Sequence, residues 1–165
     1  MYIYEDIIKR LKSSKVKFVL VGGIAVNLLG SLRSTADMDI LVEMSDKNLT
    51  NLFGLLRKEG YRIKQPIKPE QLLNETTRGE LINEKNLKAI NFYKNNTLSE
   101  VDVIIDSPVS FQQAIKNALL IKVGQISFPV ISFDDLIRMK SVTGRYIDKL
   151  DIEALKNIKK LRGHR

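Results

Sequence analysis

The fold of this chain is decided by residues 17–43, whose sequence is KFVLVGGIAVNLLGSLRSTADMDILVE. An apolar run of strand type ends at Gly22-Gly23, and a short helix that is apolar on nearly every side follows. A second apolar strand then opens with Asp37 and Asp39. Since side chains alternate along a strand, these two carboxylates are predicted to project from one face.

Two acidic side chains so placed repel each other, and a divalent cation between them relieves that repulsion. Mg²⁺ prefers carboxylate oxygens as ligands, and Mn²⁺ is the alternative ion. The backbone N–H groups of a Gly-Gly turn are suited to holding a phosphate. A phosphate site beside paired carboxylates indicates phosphoryl or nucleotidyl transfer. Asp102, inside the later apolar run 101–105, is the candidate third carboxylate, because a charge buried there needs a partner or a metal.

A longer pattern connects the glycine pair with the acid pair, and it reads Gly22-Gly23, then Arg33-x-Thr35-x-Asp37-x-Asp39. This pattern resembles the signature of the DNA polymerase β-type nucleotidyltransferase superfamily. Within it, the arrangement is similar to the small bacterial enzymes that include AbiEii-type toxins of toxin–antitoxin systems. The resemblance implies a nucleotidyltransferase fold that binds Mg²⁺ and an NTP. It also implies transfer of a nucleoside monophosphate to a hydroxyl of a tRNA, a protein or a small molecule.

The resemblance assigns roles to these residues. Asp37, Asp39 and Asp102 would be the metal ligands and the catalytic carboxylates, with Asp102 helping to activate the acceptor hydroxyl. Gly22 and Gly23 would hold the β- and γ-phosphates. The arginine and threonine between the glycines and the acids have two interpretations, which are triphosphate binding and shaping of the loop.

A second match to the same family lies near the C-terminus and reads Lys140-x-x-x-x-Arg145-x-x-Asp148-x-x-Asp151. It implies that Lys140 and Arg145 lie near the nucleotide phosphates, with the two aspartates in support. The alternative is that these charge pairs only fasten the last two helices together, which is what we expect of the aspartates. The chain departs from the family pattern at Leu29, where His is usual, and at Tyr146-Ile147, where Pro-Lys is usual.

The predicted element order is helix, strand, helix, strand, helix, strands and helices. It indicates an α/β (α+β) fold with a mixed central sheet, flanking helices and a C-terminal helical segment. The 165 residues suffice for one domain, with a catalytic core of about 1–106 and a helical part of about 107–165. The stretch 65–86 predicts a loop or short helical turns, either a substrate-binding flap or an insertion. The tail 162–165 is expected to be frayed.

Composition narrows the function classes. The net charge of +8 indicates either an anionic partner, such as a nucleotide or RNA, or a solvated lysine-rich surface. The absence of cysteine excludes disulfides and thiolate chemistry and favours a cytoplasmic location. The one histidine, His164, lies in the tail, which argues against histidine catalysis and a zinc site. No apolar run has the length of a membrane helix, so no membrane contact is expected.

Two functions fit the sequence. The first is a metal-dependent nucleotidyltransferase, with a toxin that pairs with an antitoxin protein as one form of it. The second is a binding module of the same fold that holds a nucleotide or a partner without turnover. The presence of all three carboxylates favours the enzyme.

Overall fold

The structure is a computed structural model and describes residues 2–163. A seven-stranded mixed sheet forms its centre. In chain order the elements are α1 (Tyr2–Ser13), β1 (Phe18–Leu20), α2 (Gly22–Leu28), β2 (Met38–Val42), α3 (Asp46–Lys58), β3 (Tyr61–Ile63), α4 (Pro69–Leu73), α5 (Glu75–Asn83), β4 (Ala89–Lys94), β5 (Glu100–Ile104), α6 (Phe111–Asn117), β6 (Leu119–Val123), β7 (Ile126–Val130), α7 (Phe133–Ser141) and α8 (Tyr146–Gly163). The strand order is β3-β4-β5-β2-β1-β7-β6. The pairs β2–β5 and β1–β7 are parallel, and the other neighbours are antiparallel. The predicted mixed α/β fold is confirmed.

Strands β1 and β2 lie inside the sheet and are buried along almost their whole length. Every residue of the two strands is buried except Asp39, which is partly exposed. Helix α2, which connects them, buries Gly23, Ile24, Ala25 and Val26. The strand–helix–strand order predicted from residues 17–43 is confirmed, and it leaves one acidic side chain at the edge of the core.

Strands β4 and β5 have one covered face and one open face. The covered face carries Ile90, Phe92, Val101 and Val103, all of which are buried. Phe53 of α3 stacks on Phe92 with ring centroids 5.8 Å apart, so α3 covers this side. Asn91 and Asp102 point to the opposite face and are partly exposed. The alternation of the sequence therefore presents polar side chains on the face that α3 leaves free.

The C-terminal part contributes strands as well as helices. Strands β6 and β7 form a hairpin, and β7 pairs in parallel with β1 through Leu20 and Val130. Helix α7 begins after Ser132, whose hydroxyl accepts the N–H of Asp135 at 3.2 Å. Residues beyond 106 thus complete the central sheet. Within residues 2–163, no helix combines the length and the apolar composition needed to cross a membrane.

The irregular stretch 65–86 contains the two short helices α4 and α5. Asn74 begins the second of them, since its side chain accepts the N–H of Thr77 at 2.9 Å. The prediction of short helical turns is confirmed, and a role as a substrate-binding flap stays a prediction.

The prediction of a frayed tail is wrong for Arg162. This residue belongs to α8, and its Nη2 donates to the carbonyl oxygen of Leu29 at 3.1 Å. Its guanidinium also lies over the ring of Phe133, 5.3 Å from the centroid. The contact satisfies a carbonyl that the end of α2 leaves without a helical partner, which explains why the arginine is ordered. His164 and Arg165 lie outside the described residues.

Candidate active site

Three polar side chains form a row across the open face of the sheet. Asp39 pairs in register with Asp102 of the parallel neighbour, and Asp102 pairs in register with Asn91 of the next strand. Residues opposite each other in neighbouring strands point to the same face, so the three side chains lie side by side. Gln65 extends the row, since its Oε1 accepts the N–H of Asn91 at 3.1 Å. The sequence indicated the acids but not the two amides, because strand alternation was the only signal for Asn91 and Gln65, which follows β3, had none.

Asp37 lies just before β2 and is partly exposed. Tyr4 of α1, only 2% exposed, holds the backbone beside it. The Tyr4 hydroxyl donates to the carbonyl oxygen of Ala36 and accepts the N–H of Glu100 at 3.2 Å. Helix α1 thereby connects the loop that carries Asp37 to β5. The sequence analysis missed this contact because an apolar helix face predicts packing and nothing more.

The electrostatics of the row favour a bound cation. Burial, with the charges of Asp102 and Asp37, raises the pKa of Asp39 to about 6, although a hydrogen bond from Gly23 acts against the shift. Burial also raises the pKa of Asp102, and the charge of Asp37 adds to the effect. The Oδ1 atom of Asp102 is buried and has no hydrogen-bond partner in the described part of the chain. A positive charge here would satisfy this oxygen and lower both pKa values.

The carboxylates fit a cation that is shared with a substrate. Among the described residues, no group of three or more His, Cys, Asp or Glu side chains is arranged to hold a metal ion by itself. Mg²⁺ usually takes one or two carboxylates and fills its other positions with substrate phosphates and water. Asp39 and the unpartnered oxygen of Asp102 can supply two such ligands, and Asp37 is the nearby third carboxylate.

The glycine pair lies directly against these acids. Gly22 has a φ of +65°, and a Cβ at this position would overlap the carboxylate of Asp39. A Cβ on Gly23 would overlap the side chains of Thr35 and Arg33. No side chain fits at either position without displacement of these neighbours. The structure therefore brings both glycines, the arginine, the threonine and the aspartate into one continuous surface.

Arg33 is held from two directions. Its backbone N–H donates to Oδ1 of Asn27 at 3.0 Å, and its carbonyl oxygen accepts from Nδ2 of the same side chain at 2.9 Å. Its Nε lies 3.1 Å from Oδ1 of Asp151, a buried residue of α8. The sequence analysis predicted neither contact, because each joins residues whose proximity depends on the folded chain.

A buried ion cluster on α7 and α8 stands behind this surface. The Nζ of Lys140 lies 2.8 Å from Oδ1 of Asp148 and 2.7 Å from Oδ2 of Asp151. Arg145 is largely exposed, and its Nε lies 2.6 Å from Oδ2 of Asp148. Burial acts to raise the pKa of Asp148, but hydrogen bonds from Arg145 and Lys140 hold it at about 2. The cluster fastens α7 to α8, and the charge of Lys140 lowers the pKa of Asp39, so the two groups are close neighbours.

The row and the glycine surface lie apart from a cavity of about 490 Å³ in the described part of the chain. That cavity is lined mainly by apolar groups, with Phe18 and Phe111 among them. None of the residues of the row or of the glycine surface lines it.

The chain resembles known proteins over most of its length. A family model described as aminoglycoside-2''-adenylyltransferase matches residues 4–155. No curated protein matches the sequence significantly. The crystal structure of the lincosamide antibiotic adenylyltransferase LnuA, with lincomycin bound, superposes with a TM-score of 0.62 at 17% identity. That match covers 92% of this chain and 93% of the other.

The crystal structure of ANT(2'')-Ia in complex with adenylyl-2''-tobramycin superposes with a TM-score of 0.61 at 12% identity. It covers 99% of this chain and 94% of the other. The solution structure of ANT(2'')-Ia gives a TM-score of 0.58 at 12% identity, with 96% and 81% covered. These likenesses confirm the nucleotidyltransferase fold, and with the family match they confirm the superfamily. The AbiEii-like subgroup stays a prediction.

Proposed function

The chain belongs to the aminoglycoside-2''-adenylyltransferase family, and we propose that it transfers adenylate from ATP to a hydroxyl group of a small-molecule acceptor. Nucleotidyl transfer from an NTP to a hydroxyl follows from the family. The choice of ATP, the need for Mg²⁺, with Mn²⁺ as the alternative, and the small acceptor are the finer part of this proposal.

One observation carries the proposal. Asp39 and Asp102 face each other in register on parallel strands, and the glycine pair lies against Asp39. Carboxylates of raised pKa beside bare backbone suit an anionic substrate that brings its own cation. A site that only binds a protein partner has no need for an unpartnered buried carboxylate oxygen, which is costly to maintain.

The acids would divide the work between them. Asp37 and Asp39 would bind Mg²⁺ together with the triphosphate, and Asp102 would share in its coordination. The ion supplies charge stabilisation at the phosphates and at the leaving group. Because all three acids lie on one side of the sheet, the proposed acceptor approaches from the side of β5 and β4, where Asn91 and Gln65 continue the row.

Asp102 would take the proton in the transfer step. The acceptor oxygen forms a bond to the α-phosphorus while the bond from that phosphorus to the bridging oxygen breaks. Pyrophosphate leaves with the electron pair, and the hydroxyl proton moves to the Asp102 carboxylate. Asp102 is suited to this step because it lies next to β4, on the side from which the acceptor would approach.

The triphosphate would lie on the surface formed by Gly22, Gly23, Arg33 and Thr35. The planar guanidinium can contact two phosphate oxygens at once, which an ammonium group cannot do with the same geometry. Lys140 and Arg145 lie behind this surface and contribute charge. The two lysine-bound aspartates neutralise only part of it, so the cluster with Arg33 keeps a net positive charge beside the proposed phosphate site.

The charge on the face of the sheet that carries Asp102 also bears on the choice of acceptor. Glu100, which lies on the same face as Asp102, is paired with Lys64 at 2.6 Å. That pairing neutralises a carboxylate that a polycationic antibiotic would use. The formal charge of +8 acts in the same direction. Lincomycin, bound in one structural neighbour, and tobramycin, adenylylated in another, are therefore the two acceptors to compare first.

The positive net charge also supports a second class of acceptor. An RNA such as tRNA would be attracted by a basic protein, as would an acidic protein acceptor. In this second form of the function the enzyme is a toxin, and an antitoxin protein is its partner. Transfer to RNA without transfer to any small molecule would favour that form.

The first experiment measures binding of each NTP with Mg²⁺ by calorimetry. We expect metal-dependent binding of ATP by the wild type and its loss in Asp37→Ala/Asp39→Ala. Asp106→Ala is the matched control, because this acid follows β5 and, among residues 2–163, its one ion pair is with Lys88. Absence of binding to every NTP, with the protein folded, would contradict the proposed function.

The second experiment uses ATP labelled at the α-phosphate with lincomycin, tobramycin and total tRNA as acceptors. We expect a labelled small-molecule product. Nucleotide binding without transfer to any acceptor would support the alternative of a silent binding module on this fold.

A further inference from the structure

The last long helix orients the arginine of the proposed phosphate surface. The Nε of Arg33 lies 3.1 Å from Oδ1 of Asp151 on α8. A Cβ on Gly23 would lie 2.5 Å from Nη2 of the same guanidinium. One side of the guanidinium therefore faces the buried carboxylate, and the other faces the glycine pair. Asn27 fixes the backbone of the arginine at the same time.

An arginine side chain has many rotamers, and ordering it when a ligand binds costs conformational entropy. A buried carboxylate that engages Nε meets this cost before the ligand arrives. The Nη1 group donates to the carbonyl oxygen of Ser34 at 3.1 Å, which leaves Nη2, on the side of the glycine pair, for a phosphate oxygen. Asp151 is suited to this task because it is 3% exposed and because both of its oxygens form ion pairs, with Arg33 at 3.1 Å and with Lys140 at 2.7 Å, although neither contact has the geometry of a hydrogen bond.

Asp148 provides the internal comparison. It lies on the same helix, is 1% exposed, and binds the same Lys140 at 2.8 Å. Its second cationic partner is Arg145 rather than Arg33. The two aspartates therefore share burial, helix and lysine, and they differ in which arginine they hold.

We propose that Asp151 is a positioning residue for nucleotide binding, which holds the guanidinium of Arg33 in the orientation that the triphosphate requires. The inference rests on the proposed function, because it takes Arg33 to be a phosphate ligand. It assigns α8 a part in the nucleotide site, and it separates the two aspartates that the sequence treats as one structural pair.

The test is a pair of double-mutant cycles, read as the dissociation constant of ATP with Mg²⁺. Asp151→Asn removes the charge and keeps the shape, and we expect it to weaken ATP binding about tenfold. Arg33→Ala should weaken binding at least as much. Because both changes disturb one contact, the double variant should bind ATP within about twofold of Arg33→Ala.

Asp148→Asn, combined with Arg33→Ala, is the matched cycle, and its effects should multiply. Thermal melting checks that each variant is folded. Where Asp151→Asn does not fold, Asp151→Glu and Asp148→Glu replace the asparagine variants, since both keep the charge and shift the carboxylate by one methylene.

Multiplicative effects of Asp151 and Arg33 on ATP affinity would overturn the inference, as would equal behaviour of the two aspartate variants. Either result would make Asp151 a structural residue that only fastens α7 to α8. A wild type that binds no NTP is a different failure. It overturns the proposed function itself and is recognised before any variant is made.

Discussion

The molecule contains two groups of acidic residues in opposite electrostatic states, one partly exposed on the open face of the sheet and one buried at α7 and α8. Asp39 and Asp102 face each other and a third acid, so burial and like charge raise their pKa values. Asp148 and Asp151 face Lys140 and arginines, and the pKa of Asp148 is held at about 2. The charges of Asp148 and Asp151 are already compensated by cationic side chains of the protein. The charges of Asp39 and Asp102 are not, and we expect a bound cation to compensate them.

The largest effect should come from removing the proposed base. Asp102→Asn keeps the size of the side chain and cannot accept the proton, so we expect the transfer rate at saturating ATP to fall by roughly 10²–10⁴-fold. Asp106→Asn is the matched control beyond the same strand, and it should stay close to wild type. A rate for Asp102→Asn within a few-fold of wild type would show that this carboxylate does not carry the proton.

Removing Lys140, the cation that Asp148 and Asp151 share, should lower the free energy of unfolding. Lys140→Met leaves two buried carboxylates without their shared ammonium, and we expect the free energy of unfolding to drop by about 3–5 kcal/mol. Lys159→Met breaks an exposed pair with Asp134 and should cost about 0–1 kcal/mol. Urea denaturation measures both. Equal losses would mean that burial of the Lys140 cluster has little energetic consequence.

Removing the charge of Asp39 should instead raise the free energy of unfolding at neutral pH. The folded-state pKa of Asp39 is about 6, above its usual 3.8, so its contribution to stability is present below about pH 4 and is lost as the pH rises through 6. Asp39→Asn carries no such loss. In EDTA, the variant should be more stable than wild type by about 1–3 kcal/mol at pH 7.5 and should lose this advantage towards pH 4.

Urea unfolding at pH 4, 6 and 7.5 measures the difference between the two proteins. ATP binding with Mg²⁺, measured in parallel, should be lost in Asp39→Asn. If the stability advantage of Asp39→Asn over wild type were no larger at pH 7.5 than at pH 4, this would contradict the raised pKa of Asp39, on which the contrast between the two groups depends.

The smallest predicted effect comes from the close contact between Gly22 and the carboxylate of Asp39. Gly22→Ala and Gly124→Ala both place an alanine at positive φ, at +65° and +58°. Gly124 has no heavy atom within 4 Å of the added Cβ, whereas the Gly22 methyl would meet the Asp39 carboxylate. Both variants should lose about 1–2 kcal/mol from backbone strain. Gly22→Ala should lose about 1 kcal/mol more and weaken ATP binding, which Gly124→Ala should leave unchanged.

The sequence was sufficient where the signal is local. The order of elements around Gly22 and the alternation that turns Asp102 away from the core follow from periodicity and turn residues. The pairing of Asp39 with Asp102 depends on the register of two strands that are distant in the chain, which no local pattern specifies. Tyr4, Asn27 and the amides of the row were missed for the same reason.

The C-terminal motif shows a related difference. The spacing of Asp148 and Asp151 predicts one helical face and a shared lysine, and the structure has both. It does not distinguish the aspartate that reaches Arg33 from the one that reaches Arg145, because that depends on how α8 packs against the chain that follows α2. The same packing explains why Arg162 is ordered where a frayed tail was expected.

The parallel pairing of β7 with β1 has a consequence for how the protein is made. A ribosome releases β1, the glycine pair and the first acids early, while β7 and Asp151 follow more than 100 residues later. Pairing strands so distant in the chain is slow, and until it happens β1 presents an unpaired edge. We therefore expect the nascent chain to be prone to aggregation and unable to bind ATP until β7 has emerged and paired, so that its yield depends on chaperones during translation.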